Sequence, residues 1–212
     1  MLHVLNFIFR VFFKLDKETR LFFGLPYRLH SEDRKILDQK LLPWFAARND
    51  VKKVLFVGCD SYTVHYKKYF LEDEYWTLEP DPLKKKFGSR HHIIGQLQDL
   101  ANHVSENYFD LIICNGIYGW GLDEKEALEK AFMSCYNCLG NNGFLILGWN
   151  NLPERTLVPL NNIKALHLFT PFEDSAIGGP TIITQTKHKH IFDLYRVKKQ
   201  TNIDYQPEIK SF

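Results

Sequence analysis

The sequence predicts an α/β fold, a mostly parallel sheet with helices on both faces, set behind an N-terminal helical extension. Three observations predict it. Short apolar runs ending in glycine or a polar residue recur from Val51 onward, as strands of a buried parallel sheet do. Stretches able to form helices separate those runs. The first fifty residues lack the alternation and carry apolar residues at helical spacing instead. The expected organisation is a helical extension over residues 1–50, an α/β domain over 51–200 and a tail over 201–212.

Composition narrows the functions open to the chain. Of 212 residues, 45% are hydrophobic and 15% aromatic, which is enough to bury a core and excludes a disordered chain. The 27 basic and 25 acidic residues leave a net charge of +2, far from the basicity of a nucleic-acid coat, so no nucleic-acid partner is expected. No run approaches roughly 18 uninterrupted apolar residues, the length of a membrane span. Four cysteines are too few for a disulfide scaffold, and no cleavable signal peptide is visible. A cytoplasmic, reduced protein is expected.

Within residues 1–15, MLHVLNFIFRVFFKL, the polar side chains His3, Asn6, Arg10 and Lys14 are three or four apart. On a helix they fall within roughly 80° of arc, leaving a wide Phe-rich apolar face. That face suits docking on the core, a homodimer contact or shallow insertion into a membrane surface. Gly24 and Pro26 interrupt helix. Ser31 then reads as an N-cap, with Glu32 and Asp33 in the first turn. Ile36, Leu37, Leu41 and Phe45 form the apolar stripe.

In the alternating region, 53–58 is the first strand and Thr63 to Leu71 a helix. Tyr75 to Glu79 is the second strand, stopped by Pro80 and Pro82, and Lys84 to Lys86 reads as the wet face of a helix. His91 to Ile94 and Phe109 to Asn115 are the third and fourth strands. Asp123 is expected to cap a helix reaching about Leu139, with Glu126 completing a capping box. Asn141-Asn142-Gly143 is a turn into a fifth strand, Phe144 to Trp149. His167 to Phe172 and His190 to Val197 are the remaining strand candidates, around a loop at Ile177 to Pro180. Ligands of such sheets sit beyond the carboxyl ends of the strands. Gly58, Glu79, Gln96, Asn115 and Trp149 should meet there.

The first loop, Gly58-Cys59-Asp60-Ser61-Tyr62-Thr63, limits the ligand. A dinucleotide site needs three glycines so that bare backbone can approach the pyrophosphate, yet Asp60 and Tyr62 hold the second and third places. An aspartate there repels phosphates, and no Gly-Lys-Ser/Thr follows to build a P-loop. The loop suits a ligand without phosphates that carries positive charge. Glu79, twenty-one residues after Gly58, suits a ribose diol. Together they describe an adenosine with a cationic tail, S-adenosylmethionine.

Over residues 50 to 198 the chain resembles the class I S-adenosylmethionine-dependent methyltransferases, a Rossmann-like family. The resemblance rests on Val54 to Cys59, Leu78 to Asp81, Ile94 to Leu100, Phe109 to Gly116 and Leu139 to Leu147, in that order. It departs from the family at Phe56, where an acid is usual, at Asp60 and Tyr62, where further glycines are usual, and at Gln96, which replaces the adenine-side acid. The resemblance implies a seven-stranded sheet whose last strand is antiparallel. It also implies a cofactor site at Gly58, Cys59, Asp60, Tyr62, Thr63, Glu79, Pro80, Gln96, Leu97, Asn115 and Gly116. From charge, Asp60 is a candidate for the methionyl ammonium. Tyr118, Trp120, Trp149 and Asn150 are candidates to bind a small or medium-sized acceptor, or else packed aromatics and hydrogen-bonded loop. His65, Tyr118 and His167 are candidate general bases. The rival reading is a non-catalytic module of the same fold that binds or assembles, at a membrane surface or as a dimer. An NAD-dependent enzyme is disfavoured by Asp60. The Cys135-X-X-Cys138 pair lacks a second pair and reads as buried thiols, with no metal expected. His188 and His190, among lysines, read most simply as a solvated edge, with a histidine metal pair as the alternative.

Overall fold

The computed structural model describes residues 15–199 apart from 17, 18, 21 and 24. The expectations for residues 1–14 and the tail after 199 lie outside the described residues. Helix α1 starts after Ser31 and continues through Glu32–Ile36, Leu37–Leu41 and Leu42–Ala46. Its middle segment is a π turn, in which the Leu42 N–H reaches back five residues to the Leu37 carbonyl. Pro43 explains the widening. Its ring removes one N–H and crowds the carbonyl four residues earlier, and a looser turn relieves both. Ser31 stands at the N-cap, but its side chain makes no capping hydrogen bond.

The strands follow: β1 Lys53–Val57, β2 Glu74–Glu79, β3 His91–Ile94 and β4 Phe109–Asn115. Helix α2, Lys125–Cys138, precedes β5 Leu139–Asn150, β6 Phe169–Pro171, β7 Thr181–Ile183 and β8 His190–Val197. The sheet order is β3-β2-β1-β4-β5-β8-β6, with β7 also on β8. The first five strands are parallel, and β8 is antiparallel to β5. Beyond β8, β6 pairs with Tyr195 to Val197 and β7 with Ile191 to Asp193. The seventh position of the expected sheet is thus divided between two three-residue strands, and β7 was not foreseen.

Alternation along each strand sends side chains to two apolar layers. Val54, Phe56, Leu111, Ile113, Phe144 and Ile146 meet Leu37, Leu41, Leu42 and Phe45 of α1 on one face. Leu55, Val57, Ile112, Cys114, Leu145 and Leu147 meet Leu128, Ala131, Phe132 and Cys135 of α2 on the other. Among the described residues no helix is long and apolar enough to cross a membrane.

Four local expectations are corrected. The segment expected as a helix over 63–71 is a 3₁₀ helix at Val64–Phe70. Glu124, not Asp123, stands at the N-cap of α2, and no side chain caps it. Asp123 Oδ2 instead accepts from the Gly121 N–H at 3.2 Å, which spends it on the preceding loop. The Asn141–Gly143 turn is absorbed into β5 as a register shift opposite Asp110, with Asn142 at φ 67°. Of the strand expected over 167–172, only Phe169–Pro171 forms, because Lys164–Leu168 coils as 3₁₀.

Candidate active site

Register decides which residues meet. Val57 lies between Leu78 and Cys114, so β1, β2 and β4 end level, at Gly58, Glu79 and Asn115. The chain leaves β1 in one direction to build β2 and β3 and in the other to build β4 and β5. The strand ends part at that switch point and leave a crevice. Gly58 turns the chain there at φ +86°, which a side chain rarely adopts.

A cavity of about 290 Å³ fills the crevice. Its wall includes Gly58, Cys59, Tyr62, Glu79, Pro80, Gln96, Leu97, Asn115 and Gly116, nine of the eleven residues expected to hold a cofactor. Both Glu79 carboxylate oxygens accept a backbone N–H, Oε2 from Cys59 at 3.0 Å and Oε1 from Asp81 at 3.1 Å. The buried carboxylate therefore ties the first loop to the end of β2, and each oxygen keeps a free lone pair. Burial pushes the Cys59 thiol up to about 12, which keeps it protonated.

Asp60 and Thr63 are not on the wall. Asp60 Oδ1 accepts from the Ser61 N–H at 2.6 Å and from its hydroxyl at 2.9 Å, while Oδ2 pairs with Lys84 Nζ at 3.3 Å. Thr63 Oγ1 donates to the Asp60 carbonyl and accepts the Asp60 N–H, closing the turn. Among the described residues the Asp60 carboxylate faces Ser61 and Lys84. Lys84 itself was expected on a wet helix face, yet it lines the cavity. Burial works against its charge, but Glu79 and Asp60 outweigh that and raise its pKa. Lys84, Asp60 and Glu79 together leave one net negative charge beside the crevice. Gln98 is a further wall residue that was not foreseen.

A second cavity of about 800 Å³ adjoins the first, and Tyr62, Lys84, Gly116 and Trp120 line both. Asn150 lies on the larger one. Tyr118 and Trp149 line neither. Tyr118 is buried with its hydroxyl donating to the Val158 carbonyl at 2.5 Å, and Trp149 Nε1 donates to Asp193 Oδ2 at 2.7 Å. Their rings pack together at 5.7 Å, so the packed-aromatic reading holds for this pair. The three candidate bases lie off both walls. His65 faces Asp38 at 3.3 Å, exposed His167 faces the Asn161 carbonyl at 3.1 Å, and Tyr118 is spent on Val158.

His190 corrects the solvated-edge expectation: it is 3% exposed and lines the larger cavity. Its Nδ1 lies 2.7 Å from Asn150 Oδ1 and its Nε2 3.1 Å from Asn115 Oδ1. Burial holds its pKa down at about 4, so the ring is neutral near pH 7. A neutral imidazole donates from one nitrogen only. Donation from Nδ1 to Asn150 leaves an Nε2 lone pair that needs an N–H. Asn115 Nδ2 is buried without a hydrogen-bond partner among the described residues. A half-turn of that amide satisfies both groups at once, and the Asn115 orientation is assigned on that ground. Gly148 makes the room, since a Cβ there would overlap the Asn115 amide. An alternating strand pattern could have flagged His190 as inward-facing, but the neighbouring lysines masked it.

No family model and no curated relative matches this sequence. Solved structures do match. The N-methyltransferase NodS of Bradyrhizobium japonicum superposes with a TM-score of 0.54 at 14% identity, covering 70% of this chain and 87% of that one. A TehB-like methyltransferase of Corynebacterium glutamicum gives 0.53 at 19% identity, covering 76% and 89%. A 1,6-didemethyltoxoflavin N1-methyltransferase of Burkholderia thailandensis gives 0.50 at 14% identity, covering 79% and 83%. With the strand order above, these likenesses establish that the chain has the fold of the class I S-adenosylmethionine-dependent methyltransferases.

Proposed function

We propose that this protein transfers a methyl group from S-adenosylmethionine to a small or medium-sized acceptor. The observation that carries the reading is convergence: the first loop, Glu79, Gln96 and Asn115 meet on one cavity, which opens onto a second. NodS and the didemethyltoxoflavin enzyme were both solved with S-adenosylhomocysteine, which supports this choice of cofactor. The residues fit it. The free lone pairs of Glu79 suit a ribose diol, the Gln96 amide suits an exocyclic amine, and the net negative charge beside the crevice suits a cation. When bound, S-adenosylmethionine supplies a sulfonium methyl whose carrier departs uncharged, so alignment supplies most of the catalysis. The walls hold the two partners: the smaller cavity takes the nucleoside, the larger takes the acceptor, and Gly116 lies where they meet. The four buried free thiols suit a reducing, cytoplasmic setting.

Calorimetric titration with S-adenosylmethionine and S-adenosylhomocysteine tests the reading. Both are expected to bind, and Glu79→Gln is expected to weaken both by about 1.5–3 kcal/mol, the worth of hydrogen bonds to a charged group. A folded sample giving heat with neither ends the reading and leaves the non-catalytic module.

A further inference from the structure

Two aromatic side chains, Tyr62 and Trp120, line both cavities, so they stand where the acceptor meets the nucleoside. Trp120 is 51% exposed, so its ring is open to a ligand at that junction. It is nevertheless braced. The Arg155 guanidinium lies 3.7 Å from its ring centroid. Tyr62 is braced similarly, with the Arg34 guanidinium 5.1 Å from its ring centroid and the Tyr27 ring in an edge-to-face pair with centroids 5.9 Å apart. Each ring therefore keeps a fixed pose near the mouth, so little side-chain entropy remains to be lost on binding. A cation over one face also draws on the ring's electrons. The other face is then matched to an electron-rich planar partner.

We propose that Trp120 and Tyr62 form a stacking site for the methyl acceptor, which is a planar, electron-rich aromatic or heteroaromatic molecule. This rests on the methyltransferase reading for the word acceptor; the stacking site itself does not. Stacking on exposed aromatic side chains is a substantial binding term wherever a ligand presents a π face. A saturated ring of the same size and polarity gains none of it.

The test compares catechol, phenol and anisole with their ring-saturated counterparts, cyclohexane-1,2-diol, cyclohexanol and methoxycyclohexane, all uncharged near pH 7. Binding is followed by NMR titration of the full chain, with S-adenosylhomocysteine affinity measured separately by calorimetry. At least one aromatic probe is expected to bind about tenfold more tightly than its saturated counterpart. Trp120→Leu is expected to lose about that factor, and Trp120→Phe, which keeps a π face, to retain most of it. Arg155→Gln should weaken the same probe with the tryptophan intact. Equal binding of each matched pair overturns the proposal, as does aromatic binding indifferent to Trp120→Leu, or binding of no aromatic probe. Loss of S-adenosylhomocysteine binding with Trp120-dependent stacking intact would sink the methyltransferase reading and leave this one standing.

Discussion

His190 shows what a single side chain contributes to this site. It joins β8 to the end of β4 through Asn115 and to the end of β5 through Asn150. The ring is stable there only when neutral, because burial penalises its charge and Arg34 adds repulsion, partly offset by Asp33. Its pKa is about 4 in the folded chain, against about 6.5 unfolded, so the unfolded state takes up the proton first as pH falls. The neutral ring's contribution is complete above pH ~6.5 and is lost progressively down to pH ~4, about 3 kcal/mol in all. Urea unfolding of the native chain and of His190→Gln across that window checks this. The variant should show a flatter stability profile, and parallel profiles would refute the assignment. The same residue shows a limit of reading at this scale. Charged neighbours in sequence made His190 look solvated, while burial depends on what lies across the sheet.

At the scale of elements, α1 seals one sheet face. Phe45 is 1% exposed and meets Phe144 with ring centroids 5.3 Å apart. Phe45→Ala should cost about 3–5 kcal/mol, the range for emptying a well-packed aromatic position. A loss below about 1 kcal/mol in denaturant unfolding would mean that α1 is loosely docked. Elements with their own apolar run were legible: β3, β4 and β8 lie within the expected bounds, and β2 begins one residue early. Elements that exist only because a neighbour accepts them were not. The edge strand β7 is three residues long with Thr181 and Ile183 exposed, so it owes its form to pairing with β8 rather than to a pattern of its own. The π turn of α1 is similar. Pro43 signals a disturbance in a helix, but packing decides whether the helix stops or widens.

For the whole molecule, topology places the site. Two sheet halves built outward from β1 and β4 leave a crevice at their junction, and the residues that line it come from four separate segments. A ligand bound there couples those segments, so it should raise the stability of the whole domain. With S-adenosylhomocysteine at about 100 times its dissociation constant, the gain is about 2.7 kcal/mol, or roughly 5–10 °C in Tm for a chain of this size. Differential scanning fluorimetry checks it, and an unchanged Tm at saturating ligand would contradict the cofactor assignment.

The amino-acid sequence by itself determined the alternation of strands and helices, the strand ends at Gly58, Glu79 and Asn115, and the unsuitability of the first loop for a diphosphate. These follow from local periodicity, backbone conformation and side-chain chemistry, which each segment carries with it. Only the tertiary structure decided that Lys84 claims Asp60, that Tyr118 turns into the core while Trp120 stays out, and that His190 reaches Asn115 across Gly148. Those are meetings between residues distant in the chain. Their partners are chosen by sheet register and by which face is covered, and no single segment of sequence contains that information.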